Sequence, residues 1–205
     1  STKIITLLPG SRISELHRML PIFLKTASLL NARFTNIVFI CPTPKVVEKS
    51  YKELVSKNNI KIVHVSAEST SSDEFEKLKK SLYACSDLAL VTSGTVVLEL
   101  AKASVPMIVG YRTGFLTEII YRLFIKVSSA NLVNIITKRN DIPELLFSRC
   151  NSKNFYNEAK ALLENKKRTD IQLISSKQAI RELGYGSLYP SVRAAKSIKK
   201  FLKSN

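Results

Sequence analysis

Leu88-Ala89-Leu90-Val91-Thr92-Ser93-Gly94-Thr95-Val96-Val97-Leu98-Glu99-Leu100-Ala101 is the stretch that decides the fold. Its first five residues are apolar or β-branched without polar alternation, the pattern of a parallel strand covered on both faces. Three small residues end the strand and a helix opens. Outward from this unit the same alternation repeats. Residues 3–8, 36–41, 60–65, 87–92 and 105–110 read as strands, with amphipathic segments between them. Residues 14–31 carry Leu16, Leu20, Phe23, Leu24, Ala27 and Leu30 at helical spacing, with Pro21 expected to kink or restart the helix. Thr43-Pro44 reads as a cap and first-turn proline before a helix at 45–57, and Ser72-Asp73-Glu74 opens another that ends before Cys85.

After residue 150 the strand signal stops, and 152–164, 169–183 and 190–202 read as helices. The expected fold is therefore α/β. Residues 1–150 form a Rossmann-like open parallel sheet of five or six strands with helices on both faces, and residues 151–205 form a basic helical tail.

The 205 residues are 45% hydrophobic and 23% charged, with 6 Gly and 7 Pro, which excludes a disordered or collagenous chain. The net charge is +16, so phosphates, anionic lipid and nucleic acid are the partners its field attracts. Residues 151–205 hold twelve basic and four acidic residues, and they read either as a membrane-surface or anionic-acceptor patch or as solvated helix faces. Cys41, Cys85 and Cys150 are scattered and lack CxxC spacing, which argues against a metal knuckle or disulfide framework and suits a reducing cytoplasm. No apolar run approaches the roughly 20 residues that span a bilayer. The chain opens on Ser-Thr-Lys directly before a strand, so it reads as a piece of something longer.

In an open parallel sheet, ligands sit beyond the carboxyl ends of the strands, so the strand-to-helix turns carry the chemistry. Leu8-Pro9-Gly10-Ser11-Arg12 is a tight glycine turn with a hydroxyl and a guanidinium at a helix start, the ingredients of an anion site. It has neither GxxxxGK[ST] nor GxGxxG spacing. At Ser93-Gly94-Thr95 the small side chains admit a diphosphate to the backbone. Glu99, four residues beyond Thr95 on the same helix face, can accept both hydroxyls of a ribose. Ser-Gly-Thr is equally a capping sequence, but Glu99 lies deeper than a capping carboxylate and is flanked by Val97, Leu98 and Leu100, which puts it on a mostly buried helix. His17 inside a helix and His64 within a strand read as packed or surface residues, and Asp87 as a local cap or pair.

Leu8-Pro-Gly-Ser-Arg12, Ser93-Gly-Thr-x-x-Leu-Glu99, Val105-Pro-Met-Ile-Val-Gly-Tyr-Arg112, Leu132-Val-Asn134 followed by Arg139, and Pro143-Glu-Leu-Leu146 occur in the order and spacing of lipid-A-disaccharide synthase. The chain resembles the C-terminal half of that family. The turn ending at Glu99 is shared with other GT-B enzymes, including UDP-N-acetylglucosamine epimerases and the transferase that makes lipid II, while the Gly-Tyr-Arg and Leu-x-Asn elements narrow the match. This sequence departs from the family at Phe147, where Gln is usual, and at Val133, where Pro is usual.

The resemblance implies one half of a GT-B glycosyltransferase, binding UDP-2,3-diacylglucosamine. The sugar would pass to 2,3-diacylglucosamine 1-phosphate, forming the β-1,6 disaccharide of lipid A and UDP, with no metal or other cofactor. Carried over, Arg12 with the backbone of Gly10 and Ser11 would meet phosphate, Ser93, Gly94 and Thr95 the diphosphate, and Glu99 the ribose. Tyr111, Arg112 and Asn134 would line the uridine or phosphate side. Arg12 and Arg112 would stabilise the departing charge of UDP. The family's acceptor-side loop, Gly-Glu-x-Ser-Gly-Asp, and its base are missing from this chain, so the N-terminal half is an implied partner and the chain alone is expected to transfer no sugar. The implied location is cytoplasmic, peripheral to the inner membrane. With acylated substrates, the amphipathic stretch at 115–127 reads as an interfacial helix or as a core-facing one. Nucleic acid is not an expected partner, because the 16 aromatic residues do not interleave with the basic ones.

Overall fold

The computed structural model describes residues 2–112 and 129–204; the stretch at 115–127 lies outside them. Numbered in chain order among the described residues, the first half comprises β1 (Lys3–Leu8), α1 (Ile13–Arg33), β2 (Ile37–Thr43), α2 (Glu48–Val55), β3 (Ile62–Ser66) and α3 (Ser72–Ala84). There follow β4 (Leu88–Thr92), α4 (Val96–Lys102), β5 (Met107–Tyr111), α5 (Leu132–Thr137), β6 (Glu144–Leu146), α6 (Ser152–Glu164), α7 (Lys166–Glu182) and α8 (Pro190–Ser204).

The strands form one sheet in the order β3-β2-β1-β4-β5-β6, with every neighbouring pair parallel. This is the doubly wound arrangement the sequence predicts, and the direction of winding reverses between β1 and β4. Both faces are apolar, as the unalternated strands require. Leu88 and Leu90 join Ile5, Leu7, Phe23 of α1 and Phe155 of α6 in one core. Ala89 and Val91, one residue out of phase, join Val97 and Leu100 of α4 and Ala179 of α7 in the other.

Gly110 is dictated by this packing. A Cβ there would lie 2.5 Å from Cζ of Phe155 and 2.8 Å from Cε of Met19, so only glycine lets α1 and α6 approach β5 so closely. Phe155 stands edge-on to Phe23, with ring centroids 5.1 Å apart. The helices after residue 150 thus differ among themselves. Phe155, Ala159 and Leu162 of α6 belong to the first core, and the Gln172 side chain of α7 accepts the Met107 N–H at 3.0 Å. Every described side chain of α8, by contrast, is exposed.

Three local expectations need correction. Pro21 does not restart α1, which runs unbroken from Ile13 to Arg33; Leu20 and Ile22 beside the proline are buried and hold it in place. Thr43 is not a cap. It ends β2, its carbonyl accepts the Ala67 N–H, and α2 starts only at Glu48 after a short 3₁₀ turn at Lys45–Val47. Asp87 pairs across the sheet rather than locally, accepting from the Ile4 N–H and the Lys3 ammonium, each at 2.9 Å. The opening of α3 is a full capping box, in which Ser71 and Glu74 bond each other's backbone N–H groups.

Candidate functional site

The two central strands end side by side, and their helices leave toward opposite faces, α1 with one core and α4 with the other. A crevice must open between the two turns. It is a cleft of about 450 Å³ lined by Gly10, Ser11, Arg12, Ser93, Gly94, Thr95 and Glu99 among others, so seven of the ten expected site residues meet there.

On the β1 side, Gly10 takes φ +109°, a conformation that favours glycine, and a Cβ there would lie 2.6 Å from that of Glu15. Arg12 precedes α1 with an exposed guanidinium, ion-paired to Glu15 at 2.9 Å. Exposed pairs of this kind contribute little to stability, so the Arg12 guanidinium can leave Glu15 at little cost.

On the β4 side, Gly94 has open space where a side chain would stand. Thr95 takes helical angles and its side chain makes no cap. Among the described residues, the N–H groups of Gly94, Thr95 and Val96 find no acceptor. Capping therefore does not account for this turn. Ser93 differs from expectation: its N–H donates to the Gly110 carbonyl at 2.9 Å and its hydroxyl to the Ala130 carbonyl at 2.6 Å. Both of its donors are engaged within the protein, and Gly94 and Thr95 are left as the open part of the turn.

Glu99 stands on the outer side of a helix that packs into the core through Val97, Leu100 and Ala101, and its side chain is 45% exposed. The Lys79 ammonium of α3 lies 3.3 Å from it and is itself held by Glu76 at 2.9 Å. Lys79, Tyr83 and Thr92 were not singled out from the sequence, yet all three line the cleft. The Tyr83 and Thr92 hydroxyls are buried and find no hydrogen-bond partner among the described residues. Burial first, then the charges of Glu99 and Glu76, push the Tyr83 pKa up, so it stays a neutral phenol. The only signal for Tyr83 and Lys79 was helical spacing, which puts the two on one side of α3.

Tyr111, Arg112 and Asn134 do not line this cleft. Tyr111 is half-buried, edge-on to Phe147 at 6.4 Å, and Arg112 is exposed at the end of β5. Cys150 lies near both. Burial raises its pKa to about 11, against the lowering influence of Arg112 and the Tyr111 backbone. Asn134 is buried, and its amide donates to the Ile142 carbonyl at 2.9 Å and to Glu144 at 2.7 Å while accepting the Ile142 N–H. It is part of the scaffold beneath the neighbouring loop.

His17 is exposed on α1, and His64 stacks on Tyr51 with its Nε2 3.2 Å from the buried Glu48. Among the described residues no group of three or more His, Cys, Asp or Glu side chains could hold a metal ion.

With this geometry in view, the sequence matches the family model described as lipid-A-disaccharide synthetase over residues 1–196. The chain belongs to that family. It is 34% identical over 195 residues to the lipid-A-disaccharide synthase of Rhodospirillum centenum, covering 95% of this chain and 47% of that protein. To the synthase of Rickettsia bellii it is 35% identical over 207 residues, covering 98% of this chain and 51% of that protein. The chain thus spans about half the length of the curated synthases it matches. Among solved structures, the UDP co-structure of S. aureus MnaA superposes with a TM-score of 0.53 at 14% identity, covering 90% of this chain and 45% of that one. The trehalose-6-phosphate synthase of Burkholderia multivorans does so at 0.51 and 12% identity, covering 95% and 44%. These two share the fold, one half of the GT-B architecture. In this chain the Ser-Gly-Thr turn and the Glu99 helix stand at the switch point of the sheet.

Proposed function

We propose that this chain is the nucleotide-sugar-binding half of a lipid-A-disaccharide synthase. The observation that carries the reading is the turn at Gly94–Val96, three N–H groups that find no acceptor among the described residues, in a cleft that also holds Glu99. Here the diphosphate of UDP-2,3-diacylglucosamine would accept from those N–H groups, with Arg12 at the mouth supplying charge. Glu99, fixed by Lys79, would accept the ribose hydroxyls.

In the reaction, the 6-hydroxyl of 2,3-diacylglucosamine 1-phosphate attacks the anomeric carbon, the bond to the diphosphate breaks, and UDP leaves with the bonding electrons. A β-1,6 linkage results. Negative charge grows on the diphosphate in the transition state, so a cation and backbone dipoles already in position lower the barrier without reorganisation. Arg12 is suited to this, and Arg112 at the end of β5 is the second candidate once the sugar donor fills the crevice. The base that takes the hydroxyl proton and the acceptor site are assigned to an N-terminal half of the same enzyme. Metal plays no part in this scheme.

The acylated substrates imply work at the cytoplasmic surface of the inner membrane. No helix among the described residues is long and apolar enough to cross one. What supports surface contact is α8. At about 100° per residue, Phe201, Ala194, Ile198, Leu202 and Ala195 fall on one arc with Ser191, and Lys199, Lys203, Lys196, Lys200 and Arg193 fall on the opposite one, which Val192 interrupts. Calorimetric titration with UDP tests the central reading. Saturable one-to-one binding is expected, and no binding by the folded chain would reject it.

A further inference from the structure

Glu144 opens β6 at the edge of the sheet, where a carboxylate has no obligatory partner, yet it sits at the centre of a local network. The Ser129 hydroxyl and the Asn134 amide, the latter at 2.7 Å, donate to its Oε1. The Ala130 N–H donates to Oε2 at 2.7 Å. All three of these donors are neutral, so among the described residues the carboxylate is held by charge-assisted hydrogen bonds rather than by an ion pair. Asn134 is in turn fixed at both ends of its amide by the backbone of Ile142. The loop at 129–131 is therefore pinned from below by a braced, part-buried charge.

On its other side that loop meets Ser93, which lines the cleft. The Ala130 carbonyl accepts the Ser93 hydroxyl at 2.6 Å, and Ser93 N–H is tied to Gly110 at 2.9 Å. Asn134, Glu144, Ala130 and Ser93 thus form one chain of hydrogen bonds, from the two motifs that stand away from the cleft to the first residue of the turn that lines it. We infer that Glu144 is a positioning residue for the Ser93–Thr95 turn, acting through Ala130 and Ser93, with Asn134 as its brace. This rests on the reading of that turn as the diphosphate site. It gives the Leu-x-Asn and Pro-Glu-Leu-Leu elements a mechanical role rather than a ligand contact.

Glu144→Gln is the test, since it keeps the shape but presents an amide donor or a weaker acceptor to the Ala130 N–H. Two readouts on the 205-residue chain separate the coupling from the identity of the ligand. In hydrogen exchange without ligand, the hydrogen-bonded amides of Ala130 and Ser93 should both exchange about tenfold faster, with β1 unchanged, as for loss of one charge-assisted hydrogen bond. In calorimetry, UDP should bind about tenfold more weakly to Glu144→Gln, and in a Ser93→Ala background Glu144→Gln should add nothing further. A general loss of stability would instead add in full. Faster exchange at Ala130 with Ser93 unchanged, or additive losses, would overturn the inference. Faster exchange at Ser93 on Glu144→Gln, with no UDP binding by the wild-type chain, would uphold the coupling and sink the diphosphate reading instead.

Discussion

Lys79 Nζ stands 3.3 Å from Glu99 Oε2, linking the third helix of the domain to the fourth across the floor of the cleft. Lys79 side-chain exposure is only 17% and Glu76 grips the same ammonium, so the pair is held from two directions. Lys79→Met should leave the fold intact and weaken UDP two- to fivefold, the scale of a partly exposed ion pair. Calorimetry on the mutant checks this; an unchanged affinity would mean that Glu99 needs no support.

Gly110→Ala should destabilise the chain by about 1–3 kcal/mol, because the added methyl overlaps Phe155 and Met19 in a filled core. Urea unfolding measures it. The companion change Phe155→Leu should recover part of the loss, and failure to recover any would point to backbone strain rather than overpacking.

Cys85 is exposed, whereas Cys41 and Cys150 are buried, with pKa values raised mainly by burial to about 12 and about 11. At pH 8 a thiol reagent should modify Cys85 alone, and all three only after unfolding. The sign for stability follows from linkage. Above the ordinary thiol value of 9.0 the unfolded chain loses these protons while the folded chain retains them, so stability should fall as pH rises beyond 9. Urea midpoints from pH 8 to 10.5 test this, with Cys41→Ala expected to flatten the decline.

Much of this fold was readable because parallel strands advertise themselves. The Lys3–Leu8 strand ends where its apolar run does, and the parallel pairing follows from strand–helix alternation. β6 escaped notice because three residues are too few to show a period. The cleft was readable where it is built from contiguous turns, Gly10–Arg12 and Ser93–Thr95. Tyr83 and Lys79 reach it from a helix whose local sequence says nothing of β4, and that juxtaposition exists only after the sheet has formed. Asn134 shows the opposite failure: a residue type suited to base recognition is engaged by Ile142 and Glu144.

The opposed arcs of α8 predict binding to anionic vesicles that falls steeply as salt rises, since each cation near such a surface is worth about 1 kcal/mol and is screened within roughly 10 Å at 0.1 M. Sedimentation with neutral and anionic vesicles measures it. Lys199→Glu with Lys203→Glu should abolish the preference and leave UDP affinity unchanged. Equal binding to both vesicle types would assign the apolar arc to a protein partner instead.

The most direct test is the difference in UDP affinity between the wild-type chain and Glu99→Ala, measured by calorimetry on folded protein. The account predicts saturable one-to-one binding that weakens by about 1.5–3 kcal/mol, roughly ten- to a hundredfold, when the carboxylate is removed. Equal affinity in the two proteins, or no binding of UDP to either, would contradict it.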